Sequence, residues 1–203
     1  MSPYLFAVYI DDIIEHVKSL NVGCLFRLVN ARVILYADDI LLLAPSTCSL
    51  GNLLLACETK LHELDLAING KKSVCIRIGP RCRSPCTPLA MSDGSELYWV
   101  ESIRYLGVFI IRSCYFSCSF DNAKKSFHRS FNAIFGKIGR TASEDVVMHL
   151  IKSKCIPILL YAVEACPVNR SLEKSLQFSV RRILMKIFKT LSLIHISEPT
   201  RPY

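Results

Sequence analysis

Arg32-Val-Ile-Leu-Tyr-Ala-Asp-Asp-Ile-Leu-Leu-Leu-Ala44 is the stretch on which the reading of this chain turns. Two short apolar runs, 32–37 and 40–44, flank Asp38-Asp39, and Pro45-Ser46 closes the second. Runs of that length around an acidic break predict a strand, a tight turn and a strand. Adjacent carboxylates between two buried strands repel one another, and loops are normally built to avoid that. The arrangement makes sense when a divalent cation neutralises it. A turn lets successive side chains approach one ion from a fixed base, as the near-octahedral oxygen shell of Mg²⁺ demands.

The same tetrapeptide pattern occurs upstream as Tyr9-Ile-Asp11-Asp12, in a different setting. Ser2-Pro3 is a helix start, and Leu5, Phe6, Tyr9, Ile10, Ile13, Ile14 and Val17 recur at helical spacing, predicting a helix over 3–19. Consecutive carboxylates on a helix point about 100° apart and cannot converge on one ion. Asp11 and Asp12 therefore read as solvated helix residues. Downstream of the acidic turn, 49–66 predicts an amphipathic helix with Leu53, Leu54, Cys57, Leu61 and Leu64 on one face. Asn69-Gly70 is a turn signal, 74–78 a strand, 79–88 a Pro/Arg/Cys loop, and 97–100 and 105–111 further strands. Beyond Ser113 the texture changes to long basic helices over 120–140, 144–163 and 172–189.

At 203 residues and 51% hydrophobic content the chain is long and apolar enough to fold, and it is not disordered by composition. No apolar run reaches the roughly 18–20 residues of a membrane helix, and Met-Ser-Pro-Tyr lacks the features of a signal peptide. The expectation is an intracellular protein, nuclear or cytoplasmic, with no membrane partner. The net charge is +8, and it is all in one place. Residues 1–112 hold 11 Lys and Arg against 11 Asp and Glu, whereas 113–190 hold 13 against 5. Two readings fit that stretch: a solvated helical surface, or a face turned to a polyanion such as nucleic acid. Of the ten cysteines, Cys82/Cys86 and Cys114/Cys118 show a C-x-x-x-C spacing that zinc uses, but no His stands beside either pair. Most of the cysteines read as small buried hydrophobes.

Tyr36-Ala37-Asp38-Asp39 followed by Ile-Leu-Leu-Leu-Ala resembles the palm catalytic hairpin of reverse transcriptases, specifically of the non-LTR retrotransposon (LINE) kind. Ser2-Pro3-Tyr4-Leu5-Phe6 with Tyr9 and Asp12 resembles the end of the preceding family motif, where a template-binding loop enters a helix. Asn69-x-x-Lys72-Ser73 resembles the next motif, and Tyr105-Leu106-Gly107-Val108 the primer grip. Residues 156–164, Ile-Pro-Ile-Leu-Leu-Tyr-Ala-Val-Glu, resemble a helix that follows the polymerase domain in non-LTR elements. These motifs stand in family order.

The resemblance implies an α+β fold: a partial palm over 1–112, an antiparallel sheet with the YADD hairpin plus two helices, then an all-α thumb-like region over 113–190. It implies an RNA template, a DNA primer and dNTPs as partners, and a two-metal Mg²⁺ site that activates the primer 3′ hydroxyl and stabilises pyrophosphate. Asp38 is the foremost metal ligand and Asp39 the weaker one. Lys72 is the cation beside the departing phosphate, with Lys71 as the alternative. Tyr105, Leu106 and Gly107 support the primer strand. From charge alone, Lys124, Lys125, Arg129, Lys137, Arg140, Lys152 and Lys154 are expected to grip a duplex backbone, with Lys186, Lys189 and the Arg181-Arg182 pair adding to them. A palm site needs a third carboxylate, expected upstream of Ser2, so the chain alone is expected not to polymerise DNA and to leave an apolar strand edge unpaired. Residues 191–202 resemble a reading frame of a sequencing adaptor, which makes 191–203 an expected non-native tail. The competing readings are a non-catalytic basic nucleic-acid-binding module and a pseudogene product.

Overall fold

The computed structural model describes residues 3–20, 22–26, 29–138 and 141–188. The fold is mixed, with helices beside small antiparallel sheets, which is the α+β class. Two compact units compose it: Met1–Arg77 with Arg83–Val100, and Ile78–Cys82 with Glu101–Tyr203. The break at Val100/Glu101 falls before the strands of 102–111, so these group with the helices that follow them. The expected Ser2 helix cap, Asn21, Arg140, Lys189 and the 191–203 tail lie outside the described residues.

In the first unit, α1 (Pro3–Ser19) and α2 (Thr47–Glu63) pack on each other and on a hairpin of β3 (Val33–Tyr36) and β4 (Asp39–Leu42). A shorter pair, β1 (Leu25–Phe26) and β2 (Val29–Asn30), precedes that hairpin. Helix α1 buries Ile10, Ile13 and Val17, one stripe at helical spacing, against Leu53, Cys57 and Leu61 of α2. Val33, Leu35, Ile40 and Leu42 of the hairpin close this core from the sheet side. Full burial of each such side chain stabilises by about 1.5–3 kcal/mol. Ser46 starts α2, its hydroxyl accepting from Ser49 N at 3.1 Å. Arg32, 5% exposed, donates from Nη1 to the carbonyl oxygens of Lys18, at 2.8 Å, and Leu20. A guanidinium thus caps the carbonyl end of α1. On the other side of α2, Leu54 joins Cys75, Met91 and Leu97 in a second small core. There β5 (Leu89–Ala90) pairs with β6 (Glu96–Leu97), and Glu58 accepts from the amide and hydroxyl of Ser92.

The strand expected over 74–78 is instead a single parallel bridge, Cys75 to Trp99, bracketed by Cys75 N to Tyr98 O and Val100 N to Cys75 O. Gly79-Pro80 ends the extended run before a ladder forms. The ladder expected over 97–100 likewise contracts to Glu96–Leu97. A single palm sheet is not what the described residues form. Their sheets have two, two, two and three strands, and the β3–β4 hairpin stands as its own two-stranded sheet with Ile34 and Tyr36 exposed.

In the second unit the expected strand over 105–111 is a hairpin. β7 (Ser102–Tyr105) and β8 (Val108–Ile111) pair antiparallel, with Tyr105 opposite Val108. Leu106 (φ 46°) and Gly107 (φ 82°) form the connection, and two successive positive φ values are the signature of a type I′ turn. A third strand, β9 (Cys118–Ser119), pairs with β8, so the region after 113 is not wholly helical. Helices α3 (Asp121–Ile138), α4 (Glu144–Leu150), α5 (Ile156–Leu160) and α6 (Arg170–Ile187) follow. They share a core of Phe127, Phe131, Val147, Ile151, Cys155, Leu159, Leu176 and Ile183.

The long helix expected over 144–163 is interrupted. A π-helical turn, Ile151–Cys155, separates α4 from α5, with Ile156 N bonded to Ile151 O. Pro157 supplies the cause: it has no amide to donate, and its ring meets the carbonyl one α-turn back, a conflict that widening the helix relieves. The helix then stops at Tyr161 (ψ 126°) and Ala162 (φ 58°). Asn169 opens α6, its Oδ1 accepting from Leu172 N at 2.8 Å.

Candidate functional site

Asp38 and Asp39 lie where the apolar runs meet. Ala37 and Asp38 are the two turn residues, and Asp39 opens β4 opposite Tyr36. Ala37 has φ 52°, and Asp38 is not among the positive-φ residues, the sign pattern of a type II′ turn. Both carboxylates are exposed. Among the described residues neither forms an ion pair, and the Lys72 ammonium forms none either. Two adjacent carboxylates are thus held on a short hairpin with no cation of the described residues paired to them. That is a usable pair of hard oxygen donors. It is also only a pair, because no group of three His, Cys, Asp or Glu able to hold a metal occurs among the described residues. The donor set fits part of one ion's shell and falls short of a two-metal arrangement.

Lys72 sits in the turn that Asn69 builds. Asn69 O accepts from Lys72 N and Ser73 N at 3.0 Å, and Asn69 Oδ1 from Lys72 N at 3.3 Å. Lys71 and Lys72 are both exposed, so the geometry does not choose between them. In the upstream Tyr9-Ile-Asp11-Asp12 copy, Asp11 and Asp12 are exposed on mid-helix positions, while Tyr9 donates its hydroxyl to Leu64 O at 3.0 Å. That tyrosine ties α1 to the end of α2.

In the second unit, Asp121, Lys124, Lys125, His128, Arg129 and Asn132 line a shallow depression of about 770 Å³ on α3. By helical spacing Lys125, Arg129 and Asn132 stand roughly 100–160° round α3 from Phe127 and Phe131, while Lys124 lies beside that buried pair. Lys124 reaches Asp121 at 2.8 Å and Ser175 of α6 at 3.1 Å, and Lys186 of α6 reaches Asn132 at 3.2 Å. The hydrogen bonds from Lys124 and Ser119, and then the charges of Lys124 and Lys125, hold the Asp121 carboxyl below its ordinary value. Burial, then the Arg182 guanidinium, depresses the His128 imidazole. Arg182 and Lys186 therefore share this basic surface with α3. Lys137 does not: five residues beyond Asn132, it lies about 140° further round the helix. Lys152 and Lys154 are exposed on the π-helical turn. Sequence spacing pointed to Lys124, Lys125 and Arg129 but not to His128, Asn132 or Ser175, whose place depends on how α6 packs.

Tyr105, Leu106 and Gly107, which the resemblance makes a primer grip, occupy the type I′ turn and its flank. Tyr161 meets them, donating its hydroxyl to Leu106 O at 2.9 Å. The cysteines that share a C-x-x-x-C spacing each meet another group. Cys82 Sγ lies 3.8 Å from Cys114 Sγ, and Cys86 Sγ accepts from Arg77. Six of the ten thiols are buried. Burial pushes Cys57 and Cys75 up to about 11, and burial with the Cys166 hydrogen bond takes Cys118 to about 12, so these sulfurs stay protonated and inert.

A sequence model of the family described as reverse transcriptase (RNA-dependent DNA polymerase) matches residues 1–110. The match runs from α1 through the Asp38-Asp39 hairpin to the Leu106–Gly107 turn. No curated protein and no solved structure gave a match.

Proposed function

The chain belongs to the reverse transcriptase family, and on that premise we propose that it is palm and thumb sequence of a LINE-type retrotransposon enzyme. The observation that carries the reading is the exposed Asp38-Asp39 pair, without an ion pair among the described residues, at a two-residue turn between apolar strands inside the matched span. Reverse transcriptases bind a nucleic-acid template and primer and dNTPs, and they use a divalent metal. In this reading Asp38 and Asp39 are the chain's contribution to holding Mg²⁺, which when bound activates the primer hydroxyl and offsets charge on pyrophosphate. Lys72 stands as the cation for the departing phosphate. Tyr105 to Gly107 carry the primer strand. The α3–α6 face, with Lys124, Lys125, His128, Arg129, Arg182 and Lys186, takes backbone phosphates, where each neutralised phosphate releases counterions. The site of action is then intracellular, and residues 191–202 are no part of the machinery.

With two carboxylates and no third acidic partner among the described residues, the chain alone binds a primer–template and does not extend it. A second reading, a nucleic-acid-binding module without catalysis, draws its support from the α3 depression alone. One experiment separates them: binding and extension of a DNA primer on an RNA template, with Mg²⁺ or Mn²⁺. Binding is expected to weaken steeply with salt and to fall at least tenfold in Lys124→Glu/Lys125→Glu, with no extension above background. Template-dependent extension lost in Asp38→Ala would overturn the claim of inactivity while keeping the family role. Absence of any salt-dependent binding would sink the polymerase and the binding-module readings together.

A further inference from the structure

We propose that Tyr161 is a positioning residue for the primer-strand turn. It lies beyond the span matched to the family, yet it fixes the turn at which that span ends. The inference rests on the reading of Tyr105 to Gly107 as the primer support and names what holds that support in shape.

Two independent contacts carry it. The Tyr161 hydroxyl donates to Leu106 O at 2.9 Å across 55 residues of sequence. The ring lies against Gly107 so closely that a β-carbon there would stand 3.2 Å from Tyr161 Cε1. Leu106 needs holding, because a branched L-residue at φ 46° is in the left-handed region that sterics disfavour. The end of α5 brings the tyrosine to it. Leu159, almost fully buried, anchors the last helical turn, and the helix then breaks at Tyr161 and Ala162. The contact is not made for burial, since Tyr161 is 59% exposed and Leu106 37% exposed. It sits at the surface, where a ligand reaches it.

The chemistry of the turn indicates what is being positioned. With Tyr105 paired to Val108 and the Leu106 carbonyl engaged by Tyr161, the amides of Leu106 and Gly107 make no hydrogen bond among the described residues. Two successive amides at an exposed tip are donors for a backbone phosphate. Tyr161 uses the carbonyl side and leaves the donor side to the primer strand. Gly107, having no β-carbon, lets the ring approach the turn.

The test uses the full chain and two hybrids of equal length, one with a recessed primer end and one blunt, and reads the ratio of their affinities. The wild type is expected to favour the recessed end. Tyr161→Phe, which keeps the ring and removes the hydroxyl, is expected to lower that ratio about fivefold, the order of one hydrogen bond. Tyr161→Ala is expected to lower it further, and should it fail to fold, Tyr161→Phe still decides. A ratio unchanged in Tyr161→Phe and Tyr161→Ala overturns the proposal and leaves the primer-support reading standing. Equal weakening on both hybrids with a lowered melting midpoint marks a plain structural clamp and also overturns it. A wild type with no preference for the recessed end removes the primer-support reading itself, and the proposal with it.

Discussion

Ala37, at φ 52°, carries the cost of the acidic turn. An L-residue in the left-handed region pays about 1–2 kcal/mol, which glycine avoids at some expense in unfolded-chain entropy. Ala37→Gly is therefore expected to raise stability by up to about 1 kcal/mol in urea denaturation. A midpoint that stays put or falls would contradict the turn geometry. Strain next to a pair of exposed carboxylates is what a pre-shaped ligand site tolerates. The position of Asp38 and Asp39 was legible in the sequence because two apolar runs left only the tip for them. Arg32 was not legible: it reads as the first residue of an apolar run, and its partners are carbonyl oxygens of a helix that ends twelve or more residues earlier. Tyr161 was visible as part of a motif, but its contact with Leu106 depends on a helix break that periodicity does not announce.

Elements whose burial has one period were readable, and those shaped by backbone exceptions were not. Helix α1 spans the expected 3–19, because Ile10, Ile13 and Val17 give it one buried stripe. The run over 105–111 hid a turn, since Leu106-Gly107 continues the apolar pattern while reversing the chain. The long helix over 144–163 hid a π-helical turn, because Pro157 alters backbone bonding without altering hydrophobic spacing. Helix α1 also depends on something outside itself. Arg32→Ala removes a buried guanidinium from the carbonyl oxygens of Lys18 and Leu20. Hydrogen bonds to charged groups contribute about 1.5–3 kcal/mol, and the abandoned carbonyl groups add to the loss. A destabilisation of about 2–3 kcal/mol is expected, with slower exchange protection lost first at the end of α1. A change below about 0.5 kcal/mol would show that the cap is ornamental.

At the scale of the whole molecule, charge divides as the folding units do. The carboxylate hairpin belongs to the first unit, and the surplus of basic residues to the second, with α3 and α6 sharing Lys124, His128, Arg129, Arg182 and Lys186 on one surface. That the surplus lies after residue 113 was plain from counting. That Lys137 stands aside from the α3 depression, and that Cys82 meets Cys114, needed the packing. The α+β class was readable from the pattern, whereas the small separate sheets were not, because strand pairing is decided by partners far away in sequence. The proposed function requires Asp38 and Asp39 to form a metal-holding pair on the β3–β4 hairpin. Titration of Mn²⁺ into the isotope-labelled chain, followed by paramagnetic broadening of its amide resonances, tests it most directly. Selective broadening of Ala37, Asp38 and Asp39 at low metal is expected, abolished in Asp38→Asn/Asp39→Asn and competed by Mg²⁺. Broadening spread evenly over exposed acidic residues, with Asp11 and Asp12 affected as strongly as Asp38, would contradict it.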